Sequence, residues 1–165
     1  MCVAVRNSEP KSTPPPFRSV SFMLSSLGYA VSRSFHEVLR PLDLEPGEFA
    51  LLRAVEAGDG AAQNALAERL HISPSWMVAI VDELERRELL VRRPHARDRR
   101  VRNLHLTAAG KKLLKQAESK AQQFDRQVTG PLSEPELEQL LELLQRVSIG
   151  LDLQPGAHAA LRDRS

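Results

Sequence analysis

The most chemically distinctive part of the sequence is an arginine-rich segment, residues 92–102. Six arginines stand in this segment, and Asp98 is its only acid. The guanidinium group is planar and less strongly hydrated than an ammonium group, so it suits phosphate oxygens and narrow grooves. A charge run alone is usually a solvated loop, so the neighbouring elements must decide whether these arginines bind a polyanion.

The basic charge is local to this segment. The whole chain has 23 basic and 21 acidic residues and a formal net charge of +2. A general polycation is therefore excluded, and any case for nucleic-acid binding depends on where the charge lies.

Other kinds of chemistry have little support in the sequence. Cys2 is the only cysteine, which excludes an internal disulfide and a cysteine-only metal cage. The sequence has no histidine pair at helical ligand spacing, no phosphate-binding glycine loop and no nucleophile elbow. We therefore expect no catalytic residues, no metal and no cofactor, and the protein is not expected to be an enzyme. The sequence also lacks a signal peptide and an apolar run of membrane-spanning length, so we expect a cytoplasmic protein with no membrane partner.

Helical periodicity dominates the region that must position the arginines. Apolar residues recur every three or four positions from Val20 to Leu42, where Pro41 should end the first helix. A second helix begins at Pro46 and stops at Gly58, and a short third helix runs near Asn64 to Leu70.

The clearest helix start is Ser73 followed by Pro74. Met77, Val81 and Leu84 then form its inward stripe, and this helix should end by about Glu88. Alternating residues on both sides of the arginines predict a two-stranded hairpin with a long basic tip from Arg92 to Arg100. Thr107 and the capping-box pattern at Ser133 predict two further helices, separated at Gly130-Pro131.

This order predicts a mostly α fold with a small β-hairpin wing, a winged helix-turn-helix over about residues 46–106. The flanking helices, about 21–42 and 107–150, carry apolar faces that this small core cannot cover, so we expect them to form a homodimer. The predicted dimerisation residues are Leu27, Val31, Phe124, Leu140 and Leu144. We expect residues 1–20 to be a disordered arm and residues 151–165 to be a flexible tail.

A basic hairpin directly after a helix-turn-helix pattern favours duplex DNA over a solvated loop. The helix from Pro74 would read the major groove through its outer positions. These are Ser75, Trp76, Ala79 and, further on, Asp82, Glu83 and Arg86. The predicted DNA contacts among them are Ser75, Trp76, Ala79 and Arg86, with a phosphate expected near Ser73 and Ser75 at the helix start. Trp76 would make apolar contact with thymine methyl groups. It has two further interpretations, because a tryptophan can also fill the core or cover a ligand pocket.

Several motifs along residues 21–150 resemble the MarR family of bacterial transcriptional regulators. The first are Leu66-Ala67-Glu68-Arg69-Leu70, Ser73-Pro74-Ser75 and Val81-Asp82-Glu83-Leu84-Glu85-Arg86-Arg87. The most specific is Asp98-Arg99-Arg100 running to Leu106-Thr107 and Gly110. The resemblance implies a dimeric winged helix whose first and last two helices form the dimer.

The resemblance also implies functional roles. Asp98 would pair with Arg100 to hold the wing, and the wing arginines would enter the minor groove. The implied wing residues are Arg92, Arg93, Arg97, Asp98, Arg99 and Arg100. Many family members release DNA on binding a small aromatic effector, which is the ligand that the resemblance suggests here. Glu88 stands where the family usually has glycine, so a left-handed turn there would cost about 1 kcal/mol.

The sequence thus predicts a homodimeric regulator, acting as a repressor, that binds double-stranded DNA at a near-palindromic operator. Two alternatives remain at this point. One is a winged-helix module that binds an acidic protein, and the other is a sensor whose main ligand is a metal or small molecule.

Overall fold

The computed structural model of the chain describes residues 19–58, 60–70, 72–94, 102–151 and 153. Most of the predicted arm and tail, and residues 95–101 of the predicted hairpin tip, lie outside these ranges. The chain divides into two units, with the boundary between Ser34 and Phe35.

The described residues form six α-helices and one two-stranded antiparallel sheet, as the sequence predicts. The elements in chain order are α1 Val20–Leu39, a 3-10 helix Arg40–Leu42, α2 Pro46–Ala57, α3 Gln63–Leu70, α4 Pro74–Arg86, β1 Leu90–Pro94, β2 Arg102–Leu106, α5 Ala108–Thr129 and α6 Glu134–Gly150. None of these helices combines the length and the apolar character that a bilayer span requires.

The predicted capping residues begin three of these helices. The Ser73 hydroxyl accepts a hydrogen bond from the Trp76 amide at 3.3 Å, and the Thr107 hydroxyl accepts one from the Gly110 amide at 3.0 Å. At α6 the Ser133 amide and hydroxyl both donate to the Glu136 carboxylate, at 2.8 and 2.7 Å. Each cap satisfies a backbone or side-chain group that the first helical turn would otherwise leave unpaired.

Glu88 has a φ of 56°, so the left-handed turn expected after α4 is present. The turn allows the Leu89 amide to donate to the Leu84 carbonyl at 2.9 Å and directs the chain into β1. A residue with a Cβ is strained in this region, whereas glycine is not.

β1 extends further than the sequence indicated. We expected the basic tip to begin at Arg92, but β1 pairs with β2 as far as Pro94, which lies opposite Arg102. The Leu104 amide also donates to the Ala61 carbonyl at 3.0 Å, so the loop before α3 lies along β2. This pairing between distant segments fixes the base of the hairpin against the helices.

The core lies among α2, α3, α4, the hairpin and the start of α5. Its fully buried side chains include Leu51, Leu52, Leu66, Met77, Val81, Leu84, Leu90 and Leu104. Gly110 allows α5 to approach the strand, since a Cβ there would lie 1.9 Å from the Leu89 carbonyl oxygen. The core thus holds α4 and the base of the hairpin together.

Candidate nucleic-acid interface

One face of α4 is turned away from the core. Met77, Ile80, Val81 and Leu84 are buried, as the inward stripe predicted. Of the residues predicted to contact DNA, Ser75, Ala79 and Arg86 are exposed, while Ser73 is half-buried at the cap. The first turn of α4 therefore presents a small and mostly apolar surface.

Trp76 is half-buried and packs against the hydrophobic core. This position matches the interpretation of Trp76 as a packing residue. Because part of the side chain remains exposed, its contact with DNA stays a prediction.

Val78 also belongs to the exposed face of α4, with 45% of its surface exposed. It is not among the DNA-binding residues predicted from the sequence. The sequence carried a signal for this position. Val78 lies three residues after Ser75 and four before Asp82, a spacing that places the three residues on one helix face.

Arg92 on β1 is turned toward α4. Its guanidinium lies 2.5 Å from carboxylate oxygens of both Asp82 and Glu85, and its Nε donates to the Gln63 amide oxygen at 3.2 Å. Only 20% of the Arg92 side chain is exposed. Arg92 thus bridges two acids on α4, offsets one of their two negative charges and holds the strand against the helix. Its predicted contact with DNA stays a prediction.

Arg86 is also paired within α4. It donates to the Glu83 carboxylate at 2.9 and 2.6 Å, and both side chains are at the surface. The hydrogen bonds from Arg86 hold the pKa of Glu83 below its ordinary value, and the same contacts raise the pKa of Arg86. A DNA contact by Arg86 would use the N–H groups that this pair leaves over.

Two exposed arginines lie on the hairpin strands. Arg93 on β1 lies opposite Asn103, and Arg102 on β2 lies opposite Pro94. Neither makes an ion pair within the described part of the chain, so both can meet an external anion. The other predicted wing residues lie outside the described residues: Arg97, Asp98, Arg99 and Arg100.

Arg87 anchors the end of α4 to the start of α2. Its guanidinium donates to both oxygens of the Glu48 carboxylate at 3.3 Å and to the Asp43 carbonyl at 2.5 Å. No local sequence pattern predicts this contact, because Glu48 and Arg87 are 39 residues apart.

Four of the five predicted dimerisation residues are exposed in the single chain. Leu27 exposes 53% of its surface, Val31 37%, and Leu140 and Leu144 each 38%. Phe124 is half-buried, with its ring centroid 5.9 Å from that of Phe35.

Among the described residues, no group of three or more acidic, histidine or cysteine side chains could hold a metal ion.

Comparison with protein-family models gives a match to the MarR family over residues 42–101. The transcriptional regulator MhqR of Bacillus subtilis is 30% identical over 131 residues, covering 78% of this chain and 89% of that protein. The transcriptional regulator HosA of Escherichia coli is 30% identical over 105 residues, covering 64% of this chain and 78% of that protein.

The fold also matches solved structures. The transcriptional repressor CouR, bound to a 23-mer DNA duplex, superposes with a TM-score of 0.74 at 29% identity. The match covers 86% of this chain and 99% of the CouR chain. In that structure a protein of this fold is bound to duplex DNA.

Proposed function

The chain belongs to the MarR family of DNA-binding transcriptional regulators, which are not enzymes, and from this premise we propose that it acts as a homodimeric repressor. Each protomer would place α4 in the major groove of one half-site and its hairpin in the adjacent minor groove. The single observation that carries this proposal is the side-by-side placement of the outward face of α4 and the basic hairpin, whose Arg93 and Arg102 are exposed.

The start of α4 suits a duplex backbone. Ser73 caps the helix, and Ser75 is exposed beside it, where free amides and the helix dipole favour a phosphate. Ser75, Trp76 and Ala79 would then stand near the base edges. Arg93 and Arg102 would contact phosphates or the minor groove, and we propose the same for Arg97, Arg99 and Arg100, with Asp98 holding the tip.

Arg92 and Arg86 would act mainly through their neighbours. Arg92 offsets one of the two negative charges of Asp82 and Glu85, which would otherwise repel DNA phosphates from the second half of α4 more strongly. Arg86 offsets the charge of Glu83. These pairs support the approach of an acidic helix to a polyanion.

The exposed apolar positions on α6 support a homodimer. They are Leu140, Leu141, Leu143, Leu144, Val147 and Ile149. On α1 the exposed Leu27 and Val31 likewise lack cover in the single chain. Large contiguous apolar surfaces mark interfaces, and a twofold dimer implies a near-palindromic operator with half-sites about one helical turn apart.

Three further parts of the proposal concern the sign of regulation, the effector and the location in the cell. The DNA-bound structural neighbour CouR is a transcriptional repressor, which supports the same sign of regulation here. A small aromatic effector is proposed from the family resemblance, and it would act by favouring a dimer whose two reading helices are wrongly spaced for DNA. A cytoplasmic location is proposed because a bacterial operator lies in that compartment.

Selection of bound fragments from random duplex DNA by the full chain tests the proposal. We expect near-palindromic sequences with two half-sites one helical turn apart, bound with strong salt dependence. Failure to enrich any duplex would contradict DNA binding and favour a protein-interaction module. Enrichment of single half-sites by a monomer would contradict only the proposed homodimer and leave DNA binding in place.

A further inference from the structure

The exposed face of α4 begins with mostly apolar residues. Pro74, Val78 and Ala79 are exposed, and Ser75 is the only polar side chain exposed in the first two turns. Val78 exposes 45% of its surface, although Met77, Ile80 and Val81 beside it are buried. An exposed valine at the centre of a reading surface offers methyl groups and no hydrogen bonds.

The charged side chains further along α4 are already occupied. Asp82 lies 2.5 Å from Arg92, and Arg86 forms two hydrogen bonds to Glu83. Arginine reads guanine through two free N–H groups, and a free carboxylate reads cytosine through its amino group. These pairs occupy part of the hydrogen-bonding capacity of both side chains, whereas Val78 and Ala79 have no internal polar partner to compete with DNA.

We propose that α4 selects its operator by packing Val78, supported by Ala79, against thymine methyl groups. Thymine is the only unmodified base that presents a methyl group in the major groove, so an apolar reading face discriminates in favour of T at the contacted steps. Positive charge on the hairpin supports duplex DNA as the ligand of this face, because exposed Arg93 and Arg102 on the strands next to α4 would hold the duplex against it. The inference rests on the proposed DNA-binding function and specifies the class of half-site.

The test replaces thymines of the selected operator with deoxyuridine, one symmetric pair at a time. Deoxyuridine keeps the base pair and the O4 acceptor and lacks only the methyl group. Binding of the full chain should weaken about fourfold for each contacted thymine that loses its methyl group. We expect one or two such positions per half-site. Positions outside the half-sites should show no change and serve as the matched DNA control.

The Val78→Ala variant supplies the second arm of the experiment. Val78 is exposed, so this variant should keep the melting temperature of the parent protein. It should bind the thymine operator more weakly and lose its response to deoxyuridine at the position that Val78 contacts. Val78→Thr, which keeps one methyl group and the side-chain shape, should retain part of that response.

The possible outcomes separate the two proposals. If the operator is bound specifically and deoxyuridine has no effect at any half-site position, methyl reading is wrong and DNA binding stands. If deoxyuridine weakens binding equally for the parent and Val78→Ala, Val78 is not the reading residue. If no duplex is selected, the proposed function fails and this inference fails with it.

Discussion

The Glu48 carboxylate on α2 lies 3.3 Å from the Arg87 guanidinium at the end of α4. The exposed fractions of the two side chains are only 10% and 16%, so water does little to screen the pair. Arg87 also reaches the Asp43 carbonyl. The contact therefore connects the segment before α2 to the end of the helix that we propose reads DNA.

Breaking one side of this pair should leave a charge with little solvent and without its buried ionic partner. Arg87 would keep Asp43, and Glu48 would keep the Glu45 amide. Glu48→Gln and Arg87→Met should each lower the free energy of unfolding by about 3 kcal/mol. The double variant should lose less than the sum of the single variants, because it leaves neither charge unpaired. Chemical denaturation measures all three, and strictly additive losses would show that the two side chains do not interact.

Glu88 offers a route to a more stable protein. Glu88→Gly should raise the free energy of unfolding by about 1 kcal/mol, because glycine adopts a φ of 56° without strain. Glu88→Ala is the matched control, since it removes the carboxylate and keeps the Cβ. Thermal unfolding should show a gain for glycine alone, and an equal gain for alanine would assign the effect to charge.

Gly110 is needed for the approach of α5 to β1. A Cβ at this position would overlap the Leu89 carbonyl oxygen, so Gly110→Ala should destabilise the fold by about 2 kcal/mol or more. Gly150→Ala is the control, because a Cβ there meets nothing within 4 Å. Its better helix propensity should leave stability unchanged or slightly raised. Equal effects of the two variants on the melting temperature would contradict the close approach.

The capping box of α6 should be visible in an acid titration. Hydrogen bonds from the Ser133 hydroxyl and amide hold the pKa of Glu136 below its ordinary value. This contribution to stability is present above the ordinary carboxyl pKa and disappears as the pH falls through the lowered value. An NMR titration should show the lowered pKa, and Ser133→Ala should raise it toward the ordinary value. A pKa that does not change in Ser133→Ala would contradict the side-chain contact.

Local signals in the sequence were enough to predict the six helices and three of their caps. Ser73, Thr107 and Ser133 begin the helices expected of them, because capping depends on residues only three positions apart. The strained turn at Glu88 could also be anticipated, from the resemblance to a family that usually has glycine there. The order of the elements then indicated the winged fold.

The direction of side chains on the hairpin was harder to predict. Arg92 and Arg93 read as one basic run, yet Arg92 faces α4 and Arg93 faces solvent. The alternation of a strand contains this information, since Arg92 shares a face with buried Leu90. Its partners, Asp82 and Glu85, come from packing between elements. The pairing of Glu48 with Arg87 and of Ala61 with Leu104 likewise depends on the folded core.

The central claim is that the hairpin beside α4 binds duplex DNA. The salt dependence of binding tests this claim most directly. Fluorescence anisotropy would give the Kd of the selected operator over a range of salt concentrations for the parent, Arg93→Ala, Arg102→Ala and Arg53→Ala. Arg53 is an exposed arginine on α2, close to Glu118 of α5, and serves as the control for charge. We predict that each hairpin variant lowers the slope of log Kd against log salt by about 0.9 for each phosphate contact removed, while Arg53→Ala leaves it unchanged. Slopes that are the same in all four proteins would contradict the account.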